Sequence, residues 1–320
     1  MLKLTDSFIF AATNAVFYAK NARLIRHYHW HIGRLPNIAN PNSYAERMLW
    51  RKLADHNPLF VVFSDKLASK EFSRQRCPDL SIPRTLWVGD SADEIPEGLL
   101  RQDVFVKANH GCDFNYPIRA AQCDRADLRK TTDRWLHSVY GVRNQEWAYS
   151  QVTPKLFVEE SVDDTEKNLT EFNIRASNGK PILGSVIGKC KTPAQWVVYF
   201  DPEGMPTRGM TDADDSPIKP LLRDLAVSEP YRQAVQFTKQ LSIGVDYARF
   251  DFMWNGKDLF GGEITVYPAG GNAHSANAQV NACILEGWDI SQSHFVKSQQ
   301  RGWKRLYTGA LKRQWARHAQ

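Results

Sequence analysis

One stretch limits what this chain can become. Residues 249–265 read Arg249-Phe-Asp251-Phe-Met-Trp-Asn255-Gly256-Lys-Asp-Leu-Phe-Gly261-Gly262-Glu263-Ile-Thr265. Two alternating apolar runs joined by Asn-Gly form a strong hairpin signal, because both turn residues tolerate positive φ. Alternation puts Arg249, Asp251 and Met253 on one strand face and Phe250, Phe252 and Trp254 on the other. With a four-residue loop, Asn255 to Asp258, Asp251 falls opposite Gly262, and a one-residue bulge at the Gly-Gly pair brings Glu263 beside it. Two carboxylates and an arginine then converge. Such a pair on rigid strands suits Mg²⁺ bridging nucleotide phosphates, with Arg249 steadying a phosphoryl group. It reads equally as half-exposed strand carboxylates neutralised by Arg249 and Lys257, and spacing alone leaves both readings open.

The rest of the chain supplies an ample core around that hairpin: 320 residues, 42% hydrophobic and 12% aromatic, a composition that excludes disordered and collagen-like classes. The net charge of +6 is concentrated in residues 297–320, where Lys297, Arg301, Lys304, Arg305, Lys312, Arg313 and Arg317 meet no acid. The remainder is close to neutral, which removes most support for a nucleic-acid partner. The five cysteines are odd in number and never spaced Cys-x-x-Cys, an arrangement suited to the reducing cytoplasm. The apolar run Phe8 to Phe17 is too short to cross a bilayer and reads as a packed or surface-lying helix.

Pattern divides the chain into an α+β order. Residues 1–83 read as helical, with Ser43 capping a helix from Tyr44 and Glu46 at the capping-box position; Asp65 opens another. Short β-like runs follow at 83–88 and 103–108, then a loop from His110 to Tyr116 and a helix over 125–140. Strands are expected at 155–160, 171–176, 181–187, 247–254 and 258–267, with an amphipathic helix from Glu229 to Leu241.

Two further places carry chemistry. Lys107 ends Val104-Phe-Val-Lys107 just before Asn109-His110-Gly111, where a strand passes into a loop whose amides can close over phosphate; a lone strand lysine is otherwise a surface residue. Leu156-Phe-Val158-Glu159-Glu160 is an apolar strand ending in paired acids, suited to an adenine edge and ribose hydroxyls, or simply solvated. His27, His29 and His31 alternate and would share one face of a strand as zinc ligands, although the segment reads equally as helix. His110 and His274 are acid–base candidates by position.

Taken in order, Ser43-Tyr-Ala-Glu46, Trp50-Arg-Lys-Leu-Ala-Asp55, Asp65-Lys66, Phe105-Val-Lys107-Ala-Asn-His-Gly111, Glu146-Trp-Ala-Tyr149, Phe157-Val-Glu-Glu160, Asn178-Gly-Lys-Pro181, Arg249-Phe-Asp251-Phe and Gly262-Glu-Ile-Thr265-Val-Tyr-Pro268 resemble the TupA-like ATP-grasp family, associated with bacterial cell-surface polysaccharide synthesis. The resemblance spans about 43–268. It implies an ATP-grasp fold with a helical region over 1–83, a lid over 84–155, a strand-rich catalytic part over 156–296 and a basic C-terminal helix over 297–320. It further implies ATP and Mg²⁺, with Lys66 and Lys107 on the phosphates and Lys70 an alternative to Lys66. Gly111 belongs to the phosphate loop and His110 to the catalytic set. Val158, Glu159 and Glu160 correspond to the adenine and ribose hinge, Asp251, Glu263 and Thr265 to the metal ligands, and Arg249 to the arginine beside the reacting phosphate.

ATP-grasp enzymes generally phosphorylate a carboxylate and let an amine or thiol displace the phosphate. The resemblance therefore implies a carbon–nitrogen ligase acting in the cytoplasm on a small-molecule or lipid-linked saccharide acceptor. A sugar kinase, a glycosyltransferase and a non-catalytic nucleotide-binding protein are the alternatives. The chain departs from the family at Cys112-Asp113, where the loop usually continues Ser-Gly, and at Glu171-Phe172-Asn173, where Asp-Tyr-Lys is usual and Lys189 or Lys191 would have to substitute. In the tail, Trp303, Tyr307, Leu311 and Trp315 form one helical stripe beside basic residues, which reads as a docked helix or as a contact with an anionic membrane.

Overall fold

The computed structural model describes residues 2–119, 122–162, 169–188, 195–205, 207, 228–271 and 277–318. His274, Lys189 and Lys191 lie outside them. The chain opens with helices α1 (Leu2–Lys20), α2 (Ala22–Ile32), α3 (Tyr44–Leu53), α4 (Pro58–Ser64) and α5 (Lys66–Arg76). Ser43 caps α3, its hydroxyl accepting from the Glu46 amide at 3.3 Å. Glu46 does not complete the box with Ser43. Its carboxylate accepts from the amides of Asn37 and Asn42 at 2.8 and 3.0 Å and pairs with Arg34, pinning the loop ahead of the helix. Asp65 caps α5 by accepting from Leu67 and Ala68.

Two antiparallel sheets follow. The first has the order β1-β4-β2-β3, built from β1 (Thr85–Gly89), β2 (Val104–Ala108), β3 (Asn115–Ile118) and β4 (Leu156–Glu160). Helix α6 (Arg125–Leu136) covers it, setting Leu128 and Trp135 against Val104, Val106, Ile118 and Val158. The boundary expected at residue 155 cuts this sheet: β4 pairs with both β1 and β2, so its strands run on to Glu160.

The second sheet has the order β7-β6-β5-β8-β9, from β5 (Thr170–Ser177), β6 (Lys180–Gly188), β7 (Trp196–Phe200), β8 (Ala248–Trp254) and β9 (Leu259–Thr265). One face carries Phe172, Ile174, Phe250, Phe252 and Ile264, packed on α4 and on α7 (Glu229–Leu241). Each such buried side chain contributes about 1.5–3 kcal/mol. The other face is covered at one end by α3 and α8 (Ala278–Gly287), through Tyr44, Met48, Leu183 and Ile284. Its remaining part is polar. Strands β3 (Asn115–Ile118) and β7 (Trp196–Phe200) go beyond the expected elements; Pro117 and the loop-like flanks conceal the first, while the second, Trp-Val-Val-Tyr-Phe, is an apolar run as long as β2 that the pattern itself offered.

The C-terminal helix α9 (Gly302–His318) packs on α1, and Tyr307, Ala310 and Leu311 are fully buried there. Tyr307 accepts from Trp50 at 2.7 Å and donates to the Ala39 carbonyl at 2.9 Å. Arg313 and Arg317 both pair with the buried Asp6. Of the apolar stripe, Tyr307 and Leu311 face protein and Trp315 is half-buried, while Trp303 is exposed beside Lys304, Arg305 and Lys312. Among the described residues no helix is long and apolar enough to cross a membrane. Because 22–32 is helical, His27 and His31 stack at 4.2 Å while His29 faces elsewhere, so the three imidazoles share no face.

Candidate active site

The hairpin adopts the bulged register that its glycines suggest. Asp251 pairs with Glu263, Phe252 with Gly261, and Arg249 with Thr265, leaving Gly262 as the extra residue. A side chain there would press on the Asp251 carbonyl at 2.9 Å, so the bulge needs glycine. Asn255 closes the turn by accepting from Lys257 and Asp258, with Gly256 at φ 94°.

Strand pairing extends this into one row across the sheet: Glu263, Asp251, Asn173, Ser185 and Tyr199 are successive register partners. Asp251 is held from three sides. Arg249 donates to both its oxygens at 2.7 and 2.6 Å, Asn173 at 2.8 Å and Thr265 at 3.2 Å. Burial works against the Arg249 charge, but the Asp251 carboxylate outweighs it and holds the guanidinium above its usual range. Glu263 is more open, its side chain 35% exposed.

Helix α5 brings Lys66 and Lys70 to this row, and the loop after β2 meets Lys66 there. The Lys66 ammonium donates to the Gly111 carbonyl and lies 4.0 Å from Glu263, while its amide donates to the Asn109 carbonyl at 2.8 Å. Lys66 thus touches both the loop after β2 and Glu263 of the carboxylate pair. Gly111 adopts φ +82°, and a Cβ would strike Phe114 and Tyr140. Asp113, standing where a glycine is usual, also takes a left-handed φ of 59°. The loop keeps the glycine conformation at a cost that aspartate tolerates better than most residues. A narrow crevice between α5 and the hairpin is lined by Ser69, Lys70, Asp251, Gly262 and Glu263.

Other expected residues land differently. Glu159 is buried and binds the ammonium groups of both Lys70 and Lys107. Burial raises its carboxyl, yet the two lysines prevail and hold it below its ordinary range; burial draws Lys70 down against the pull of Glu159. Lys70 also donates to the Pro83 carbonyl at 2.8 Å. So Glu159 is a buried bridge between two lysines rather than an open ribose ligand. Val158 sits in the middle of a central strand, partnered by Trp87 and Val106, so its backbone is no free adenine edge. Glu160, at the end of the strand, is part-exposed and paired with Arg84. His110 faces inward, 2% exposed, with Nε2 at 3.1 Å from the Trp135 carbonyl and its ring edge-on to Phe114. Burial lowers its pKa, and the placement makes it a loop anchor rather than a proton carrier at the carboxylate row.

The residues that sequence reading passed over are Asn173 as a donor to Asp251 and Glu159 as the shared partner of Lys70 and Lys107. The first was visible in principle: Asn173 and Arg175 alternate with Phe172 and Ile174, which fixes them on the polar face.

A sequence model of the TupA-like ATPgrasp family matches residues 46–285. The chain belongs to that family. No curated protein matches it. Among solved structures it is similar to the ATP-grasp ligase PsnB complexed with a minimal precursor, at 12% identity and a TM-score of 0.41, covering 73% of this chain and 62% of that one. It is also similar to D-alanine–D-alanine ligase from Bacillus anthracis complexed with ATP, at 14% identity and 0.38, covering 71% and 66%. The D-cycloserine synthetase DcsG gives 11% and 0.39, covering 80% and 72%. The chain thus spans under two thirds of the length of the PsnB chain. The ATP-grasp family implies a divalent cation, and the donor set fits one: two carboxylates and a hydroxyl from facing strand positions, all hard oxygens. Among the described residues no cluster of three or more His, Cys, Asp or Glu could hold a metal ion, so a cation here would rest on this pair, the hydroxyl and substrate oxygens.

Proposed function

We propose that this TupA-like ATP-grasp protein is an ATP- and Mg²⁺-dependent ligase that joins a carboxylate to an amine, acting on a precursor of a surface polysaccharide in the cytoplasm or at the inner membrane face. The observation that carries this reading is Lys66 touching both the Gly111 loop and Glu263, since it draws the phosphate loop and the carboxylate pair to one spot. Mg²⁺ held by Asp251, Glu263 and Thr265 would neutralise phosphate charge.

The chain's own residues do the rest. Lys66 and the Gly111 loop hold the terminal phosphates. Lys107 and Lys70 lend charge that Glu159 shares until nucleotide arrives. Arg249, anchored by Asp251, stabilises the charge on the transferring phosphoryl group. A substrate carboxylate oxygen attacks the γ-phosphorus and ADP leaves; an amine nitrogen then attacks the acyl carbon, loses its proton and expels phosphate. Ligation is tested by product identity with ATP and paired carboxylate and amine substrates. ADP and free phosphate formed only when both are present supports it. A phospho-sugar means a kinase, a nucleoside diphosphate without ATP consumption means glycosyl transfer, and no turnover with intact ATP binding means a non-catalytic role.

A further inference from the structure

Arg175 is a cation that this mechanism does not use. It stands on β5 directly opposite Arg249, with Asn173 and Asp251 the next pair along the same face. Arg249 is neutralised by Asp251. Among the described residues no carboxylate pairs with Arg175, and its side chain makes one hydrogen bond, to the Ser185 hydroxyl at 3.3 Å. Two facing arginines repel each other, so a sheet in which no described carboxylate neutralises the second, part-exposed one is placed to receive an anion.

The side chain is built into position rather than loose. Its guanidinium carbon lies 5.5 Å from the centroid of Tyr199 on β7, and Ser185 beneath it on β6 is 1% exposed. Stacking occupies the guanidinium face and leaves donor edges free. Ser185 and Tyr199 continue the row that begins at Glu263 and Asp251. Strands about 4.8 Å apart put β6 roughly 10 Å from the strand of Asp251.

We infer that Arg175, seated on Ser185 and Tyr199, is an anion subsite for the carboxylate substrate: the molecule phosphorylated at the Asp251–Glu263 end carries a second anionic group, carboxylate or phosphate, roughly 10 Å away. This deepens the ligase reading and rests on it for the role of the other end. It selects substrates by length and by a second charge.

Calorimetry with Mg²⁺ and a non-hydrolysable ATP analogue tests it, using suberate, its monomethyl ester, succinate and an ω-phosphonate of suberate length as probes. Wild type should bind suberate or the phosphonate at least about tenfold more tightly than the monoester, since a charge-assisted pair is worth roughly a factor of ten or more. Succinate, too short to span the row, should gain nothing. The stronger of the two long dianions identifies carboxylate or phosphate. Arg175→Gln should erase the preference, Arg175→Lys should keep part of it, and both should bind the nucleotide as wild type does. A wild type that prefers no dianion, or an Arg175→Gln variant that keeps the preference, overturns the subsite. Repeating the titrations without nucleotide separates the two claims, because lost nucleotide binding would sink the ligase reading while the dianion preference still decides Arg175.

Discussion

Two arginine–aspartate pairs lie close together in this fold, and they differ in almost everything but their chemistry. Arg51 and Asp246 are both 0% exposed and meet at 2.7 Å. Arg51 also donates to the carbonyls of Tyr247 and Val266, and its guanidinium lies over Trp288, Phe60 and Tyr247. Trp288 supplies Asp246 with its other bond at 2.6 Å. Arg249 and Asp251 form a tighter fork, but on an open sheet face, with side chains 26% and 13% exposed and a second carboxylate alongside. The first pair is walled in, with the buried Arg51 Nε the one polar atom of the pair that finds no hydrogen-bond partner. The second has an unfilled neighbourhood, with Glu263 across the ladder and Lys66 above it. Charge and pairing do not mark a functional site; access beside a satisfied pair does.

The contrast breaks first at the open pair. Asp251→Asn and Glu263→Gln are each expected to abolish Mg²⁺-dependent nucleotide chemistry while thermal unfolding stays cooperative; full turnover in both would make them ordinary strand carboxylates. Arg51→Met should do the reverse. Removing one partner of a buried pair costs about 3–5 kcal/mol, so urea midpoints should fall sharply while folded protein keeps its nucleotide affinity. A small shift in midpoint would mean that Asp246 is well satisfied by Trp288 alone. Lys107→Ala should weaken ATP binding about tenfold, the worth of a charge-assisted contact. Unchanged affinity would show that Lys107 serves Glu159 only.

Stability also carries a pH dependence. Burial, reinforced by the Asp246 charge, pushes the Asp55 carboxyl up to about 7. An acid with a raised folded pKa holds its proton where the unfolded chain has lost it, so its contribution to stability falls as pH rises from about 4 to about 7. Asp55 accepts from the Phe295 amide at 2.7 Å, a bond an asparagine oxygen can keep. Unfolding midpoints of Asp55→Asn at pH 5 and 7.5 should differ less than those of wild type; equal differences would place the dependence elsewhere.

The same contrast explains what was legible in the sequence. The bulged hairpin is legible because Asn-Gly sets the turn and a bulge at Gly-Gly brings Glu263 beside Asp251 on the face of Arg249, whereas Thr265 enters only through the family resemblance. The helix starts at Ser43 and Asp65 were readable because caps are local. Glu159 was misplaced because Val-Glu-Glu looks like a strand end, and only pairing with two sequence-distant strands shows it to be interior. His110 was misassigned for a related reason: position in a phosphate loop does not say which way a ring points, and Phe114 and Trp135 settle that through packing. Arg51 and Lys52 sit in the family-like segment after Trp50, yet both are buried and bonded to backbone carbonyls, so their role is to hold the strands that carry the site.

The most direct measurement is calorimetric titration of ATP into the purified protein with and without Mg²⁺, alongside Asp251→Asn. Saturable ATP binding that strengthens with Mg²⁺ in wild type and loses that dependence in the variant is the expected result. A folded protein that binds no ATP, or binds it equally with and without Mg²⁺ in both proteins, would contradict an ATP site built on Asp251 and Glu263.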